Sequence, residues 1–92
     1  MRTISIHTTF KKEFNKFKKN LSFEELDIFY SEIISNLKND IPLAEKYRDH
    51  QLTGNYKNFR ECHVKPDLLL VYTKIDNKLI LARFNSHSEI FK

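Results

Sequence analysis

The chain has 92 residues, 40% of them hydrophobic and 13% aromatic, enough for one packed core and too few for two domains. Its 16 Lys and Arg outnumber 12 Asp and Glu, a formal +4 that favours an anionic partner without choosing among nucleic acid, an acidic protein and a membrane surface. One cysteine, Cys62, excludes an internal disulfide and a cysteine-based zinc cluster.

The opening stretch, MRTISIHTTFKK, lacks the apolar core of a signal peptide, and the longest apolar run, LLLVY, is far too short to cross a bilayer. A soluble, cytoplasmic protein with no membrane partner is expected, with residues 1–92 as a single domain. RTISIH alternates and reads as a strand, and Thr8 or Thr9 is placed to cap the helix after it. Phe10, Phe14, Phe17 and Leu21 then recur at helical spacing, with lysines at most other positions, Lys11 and Lys12 among them. Ser22 and Glu25 have capping-box spacing. A longer helix is predicted from there, with Leu26, Phe29, Tyr30, Ile33, Ile34 and Leu37 as its apolar stripe and an end before Pro42.

Residues 39–55 show no period and read as a long loop. After it the period becomes two. YKNFRECHV (56–64) is predicted as a strand, KPD as a turn, and LLLVYTKI (68–75) as a strand covered on both faces. DN fits a tight hairpin turn, since both residues tolerate positive φ. KLILARFN (78–85) is the next strand, with Ile80, Ala82 and Phe84 on one face and Leu79, Leu81 and Arg83 on the other. SHSEIFK closes the chain as a short turn or helix end. The expectation is an α+β fold of order β-α-α-β-β-β, a small mostly antiparallel sheet against a helical hairpin.

If the last three strands form a meander, the His63–Asp67 turn and the segment after the last strand emerge at the same end, which brings His87 near His63 and Asp67. His50 enters from the opposite end and must fold back along the sheet to join them. Such a set suits RNA cleavage. Histidine serves as acid or base near neutral pH, and arginine grips a phosphate with parallel hydrogen bonds. Arg60 and Arg83 are the arginines in question. The RNA carries its own 2′-OH nucleophile, so no metal or other cofactor is expected, and Lys11, Lys12 and their neighbours would attract phosphate irrespective of sequence. Taken singly, each residue has a plainer reading: a polar turn for His63 and Asp67, a solvated loop residue for His50, a buried small hydrophobe for Cys62, a soluble face for the lysines. Three histidines and an aspartate also suit zinc or iron, yet no pair has the H-E-x-x-H spacing.

Three runs carry a resemblance. Tyr47–Gly54 reads Y-x-D-H-x-L-x-G, Arg60–Asp67 reads R-E-x-H-x-x-P-D, and His87–Phe91 reads H-x-x-I-F. Together and in this order, from Pro42 to Phe91, they resemble the YafQ family of bacterial toxins, within the RelE/ParE superfamily of toxin–antitoxin systems. The first forty residues match only as a β-α-α pattern. The resemblance implies an endoribonuclease that cleaves mRNA, typically on translating ribosomes, and is held inactive by a cognate antitoxin, acidic and DNA-binding. His50, His63, Asp67 and His87 match the family's catalytic positions. Phe91 would lie near the scissile nucleotide and Arg83 at the phosphate. Glu61 stands where relatives often carry aspartate, keeping the charge with a longer reach. The expected roles are His87 as general acid, His50 or Asp67 as base, and His63 holding the phosphate or tuning its neighbour. Two other readings stand beside this one: a non-catalytic inhibitor of a protein target, as in gyrase-poisoning ParE members, and a basic RNA-binding module without activity.

Overall fold

The computed structural model describes all 92 residues. Thr3–Ile6 forms β1, which leads through His7 into helix α1 (Thr8–Phe17). His7 holds the N-cap position in place of the expected threonines, and no side chain caps this end. Its backbone N–H instead donates to the Leu81 carbonyl at 3.0 Å, tying the helix start to the sheet. A 3-10 turn (Lys18–Asn20) leads to the capping box. Ser22 Oγ accepts from the Glu25 N–H at 3.0 Å, and the Glu25 carboxylate accepts from the Ser22 N–H at 2.8 Å.

The second helix therefore starts where its sequence signal lies. It runs as α2 (Phe23–Ile28), widens to a π-helical segment over Phe29–Ile34, and returns as α3 (Ser35–Lys38). Ser31 donates its hydroxyl to the Asp27 carbonyl at 2.7 Å in the widened stretch, a side-chain competition that loosens a helical ladder. Asp40 then turns the chain with φ of 59°, ahead of Pro42.

The sheet has five strands in the order β1-β5-β4-β3-β2. They are β2 (His50–Gln51), β3 (Arg60–Lys65), β4 (Leu68–Ile75) and β5 (Lys78–Asn85), besides β1. Only the β1–β5 pair is parallel. The α+β fold and the β3–β4–β5 meander match expectation, while β2 is an addition. The strand expected from Tyr56 begins at Arg60, because the N–H groups of Tyr56, Lys57 and Phe59 bond to Thr53, Gly54 and Tyr56 carbonyls and curl that stretch into turns. In the hairpin, only Asp76 takes positive φ, at 54°. A last helix, α4 (His87–Ile90), comes after β5 and is capped by the Ser86 hydroxyl.

The helices cover one sheet face. Phe84 is the hub of that core, its ring 5.7, 5.3, 6.4 and 5.3 Å from those of Phe10, Phe14, Phe17 and Phe29. Full burial of each such side chain contributes about 1.5–3 kcal/mol. A smaller cluster of Leu69, Val71, Ala82 and Ile90 lies on the opposite face, joined by Leu52, Phe59 and Phe91. Leu68–Tyr72 is thus buried from both sides, as its unbroken apolar run predicts.

The facing expected along β5 is overturned by a β-bulge. Leu81 pairs with Tyr72 and Arg83 with Val71, so Ala82 is an extra residue. Beyond it the alternation shifts. Phe84 joins Leu79 and Leu81 on the helix side, and Arg83 stands with Val71 on the other. No helix is long and apolar enough to cross a membrane.

Candidate active site

Residues paired across neighbouring strands share a face, and the register aligns two rows on the face away from α1 and α2. One row runs His50–Glu61–Val71–Arg83 across β2, β3, β4 and β5. The next, two residues along, runs His63–Leu69–Asn85. Strands stand about 4.8 Å apart, so the first row spans about 14 Å, the reach of a few nucleotides. At the end of these rows the β3–β4 turn presents Asp67 and the exit from β5 presents His87. The His87 N–H donates to Asp67 Oδ1 at 3.3 Å. The Phe91 ring lies 4.8 Å from that of His87, tilted against it by 49°, and 5.3 Å from that of Tyr56, edge-on. His50, Glu61, His63, Asp67, Arg83, His87 and Phe91 thus gather on one face and its end. His50 joins them because residues 50–51 fold back as an edge strand.

The local contacts constrain what each group can do. His50 Nδ1 lies 2.7 Å from the Arg48 carbonyl, which only accepts, so this nitrogen carries a proton. His50 Nε2 lies 3.2 Å from Glu61 Oε1. With Nδ1 already protonated, that contact requires one more proton, on the imidazole or on the carboxyl. Glu61 is only 4% exposed and its Oε2 has no partner, so His50 is the sole group compensating a buried acid. His63 is half-buried, with Nδ1 3.3 Å from the Pro66 carbonyl. Asp67 and His87 are exposed.

Arg83 is held side-on by a residue that the sequence reading missed. Its Nε donates to Glu13 Oε1 at 3.0 Å and its Nη2 to Glu13 Oε2 at 2.8 Å. The same carboxylate accepts from the Phe84 N–H at 2.9 Å and from Asn85 Nδ2 at 2.8 Å. Burial pushes the Glu13 carboxyl up, but these bonds outweigh it and hold the group below its usual value. Arg83 is raised, first by the bond to Glu13. The signal was present: Glu13 is the one acid within the lysine-rich TTFKKEFNKFKK.

Arg60, expected at the phosphate, requires correction. It pairs with Tyr72 and so faces the helix side. There its Nε donates to Asp49 Oδ1 at 3.3 Å, an oxygen that also accepts from the Tyr72 hydroxyl at 2.6 Å. Burial works against the charge, but the bonds to Asp49 and Tyr72 prevail and raise Arg60. Burial also pushes the Cys62 thiol well above its ordinary range, leaving it a small hydrophobe. Lys11 and Lys12 are exposed on α1 and enter no ion pair. A pocket of about 410 Å³ lies between α2 and the Tyr47–Arg48 segment and touches this group only at His63. No three His, Cys, Asp or Glu side chains converge to hold one ion.

The family model described as a bacterial toxin of type II toxin–antitoxin system, YafQ, matches residues 2–92. The putative toxin YafQ of Haemophilus influenzae is 39% identical over 64 residues, 65% of this chain and 63% of that one. The mRNA interferase toxin YafQ of Escherichia coli K12 is 38% identical over 55 residues, 60% of each chain. These matches span somewhat under two thirds of those relatives' length. Among solved structures, a metal-bound toxin from Helicobacter pylori is 45% identical, with a TM-score of 0.85 over 99% of this chain and 100% of that one. A chain of the Escherichia coli DinJ-YafQ complex is 29% identical, with a TM-score of 0.80 over the full length of both. With the family model matched across almost every residue, the chain belongs to the YafQ family of type II toxin–antitoxin toxins.

Proposed function

We propose that the chain is a toxin that cleaves mRNA by general acid–base catalysis on this sheet face, on translating ribosomes, and is silenced by a cognate antitoxin. The observation that carries the reading is the common face: His50, Glu61, His63 and Arg83 aligned by register, with Asp67 and His87 bonded at its end. The names of the Escherichia coli relatives, an mRNA interferase and a partner in the DinJ-YafQ complex, support it. An acidic, partly disordered antitoxin segment suits the +4 charge.

In the reaction a base takes the proton of the RNA 2′-OH, and the 2′-oxygen attacks phosphorus. The P–O5′ bond breaks and the departing oxygen receives a proton. The products are a 2′,3′-cyclic phosphate and a 5′-OH end. His87, exposed beside Phe91, is the acid, and Phe91 offers a stacking platform for a base of the RNA. Asp67 is the base. His50 is less suited to that role, because Arg48 and Glu61 occupy both its ring nitrogens. Paired with Glu61 it stabilises negative charge, as Arg83 does, and His63 holds the phosphate. The nucleophile belongs to the substrate, so the chemistry needs no metal.

The test is single-turnover cleavage of RNA, with and without ribosomes. A bell-shaped pH dependence, loss of cleavage in His87→Ala and full activity in EDTA are expected. A flat profile or an active His87→Ala would remove the acid assignment. Loss in EDTA with recovery on zinc or copper would replace this mechanism with a metal-dependent one. Intact RNA, with growth arrest surviving in the His50→Ala/His87→Ala double variant, would mark a non-catalytic inhibitor.

A further inference from the structure

We propose that Glu13, on α1, is a positioning residue for the reaction: it aims the outer edge of Arg83 at the phosphate and anchors the backbone that delivers His87. This role presupposes the RNA-cleaving activity proposed for the chain.

The need for such a residue arises in the sheet. β1 ends at Ile6, opposite Leu81, and β5 continues for four residues beyond it. The Ala82 bulge begins where that neighbour is lost. The outer edge of β5 is then unpaired, and a buried backbone N–H without a partner is costly. Glu13 Oε1 takes the Phe84 N–H and so stands in for the missing strand. A carboxylate has about four acceptor sites, and Glu13 fills them all: two with Arg83, one with the Phe84 N–H and one with Asn85. Its side chain is only 11% exposed. A saturated, sheltered carboxylate binds nothing further, so its output is geometric.

That geometry leaves Arg83 usable. A guanidinium has five N–H donors in a rigid plane. Glu13 takes the side edge, Nε and one proton of Nη2. The end edge, formed by Nη1 and the second proton of Nη2, meets no second carboxylate; only the Tyr56 hydroxyl lies near the guanidinium, and the edge keeps the fork shape that matches two phosphate oxygens. The bulge has already turned Arg83 to the face that carries His50 and His63. A flexible cation thereby becomes an oriented one, and electrostatic stabilisation depends on such preorganisation.

The second arm runs through Asn85. Its Nδ2 is bound by Glu13, while its Oδ1 accepts from the Ser86 N–H at 2.7 Å. Ser86 caps α4, whose first residue is His87. One carboxylate on α1 thus steadies both the phosphate cation and the approach to the acid.

The test compares wild type with Glu13→Gln, Glu13→Asp, Arg83→Ala and the Glu13→Gln/Arg83→Ala pair in single-turnover cleavage of a short RNA. Glutamine presents an amide to one of the two donor pairs and breaks it. Glu13→Gln should lose roughly tenfold to a hundredfold in kcat, with KM within about twofold, and Glu13→Asp should recover part of the loss. Acting through Arg83, Glu13 should give a double-variant loss smaller than the product of the two single losses. Wild-type cleavage by Glu13→Gln, or fully multiplying losses, overturns the proposal. Thermal unfolding checks each fold, and if Glu13→Gln does not fold, the comparison passes to Glu13→Asp, where wild-type kcat is the overturning result. A slowly exchanging Arg83 Nε–H resonance in wild type, absent in Glu13→Gln, reads the clamp without RNA. Its absence in wild type overturns the clamp. Its presence in a wild type that leaves RNA uncut upholds the clamp and sinks only the nuclease reading.

Discussion

Two carboxylates, Glu61 and Glu13, shape the site by opposite means. Glu61 is buried with one oxygen facing His50 and the other facing nothing. Its only side-chain partner is His50. Since the Arg48 carbonyl can only accept, the His50 ring must carry its proton at Nδ1 whatever Glu61 does. A ¹⁵N spectrum of the histidine rings at neutral pH should show His50 Nδ1 protonated; a bare Nδ1 would contradict the arrangement and restore His50 as a base. Glu13, by contrast, is saturated with donors and held below its usual value of 4.5. Burial opposes its charge, and the bonds from Arg83, Phe84 and Asn85 overcome that cost. A carboxyl whose folded pKa is depressed stabilises the fold above its unfolded value and loses that contribution as pH falls through the folded one. Charge-assisted hydrogen bonds contribute about 1.5–3 kcal/mol each, and glutamine keeps some of them. Glu13→Gln should therefore be less stable than wild type by about 2 kcal/mol in urea above pH 4.5, with the gap closing as pH drops below it. A gap that is constant in pH would show that the charge contributes nothing to folding.

Among the elements, those with strong local chemistry were readable and those set by neighbours were not. The Ser22–Glu25 box placed the second helix to the residue, and the apolar run 68–72 announced a strand covered on both sides. The meander could be read from strand alternation, and it alone predicted that His87 would meet Asp67. β2 escaped because two residues have no period, and the turns over 53–59 escaped because Tyr56 and Phe59 have the residue types of a strand. The Ala82 bulge escaped for a tertiary reason. Strict alternation would have put Arg83, not Phe84, into the aromatic core, and the core decided the matter. Arg60 is a different kind of miss. It lies an odd number of positions from both Glu61 and His63, so its place on the other face was already legible. The capping box also gives a test at this scale. Ser22→Ala removes an N-cap acceptor at a helix that packs Phe29 and Ile33 against the sheet. The expected cost is about 1 kcal/mol, or a melting temperature about 4–8 °C lower for a domain of this size. An unchanged melting temperature would mean that water replaces the cap without loss.

At the scale of the whole molecule the two sheet faces divide the labour. The helix side holds the aromatic hub around Phe84, while the opposite side carries only a small apolar cluster and leaves room for the polar rows. α1 joins the two. Its phenylalanines enter the core, its Glu13 reaches the site, and its lysines face solvent. Lys11 and Lys12 precede Glu13 on the same helix, are exposed and have no acidic partners to neutralise them. If the path of the RNA to Arg83 also crosses these lysines, each phosphate they neutralise releases a condensed counterion. For single-stranded nucleic acid the slope of log K against log salt changes by about 0.7 per contact. The Lys11→Ala/Lys12→Ala variant should therefore bind a 2′-O-methyl RNA, which cannot be cleaved, more weakly at low salt, with a slope shallower by about 1.4 in an anisotropy titration from about 50 to 200 mM salt. An unchanged slope would place the RNA path elsewhere, across the β2 side of the sheet, and would leave the α1 lysines as a solvated surface.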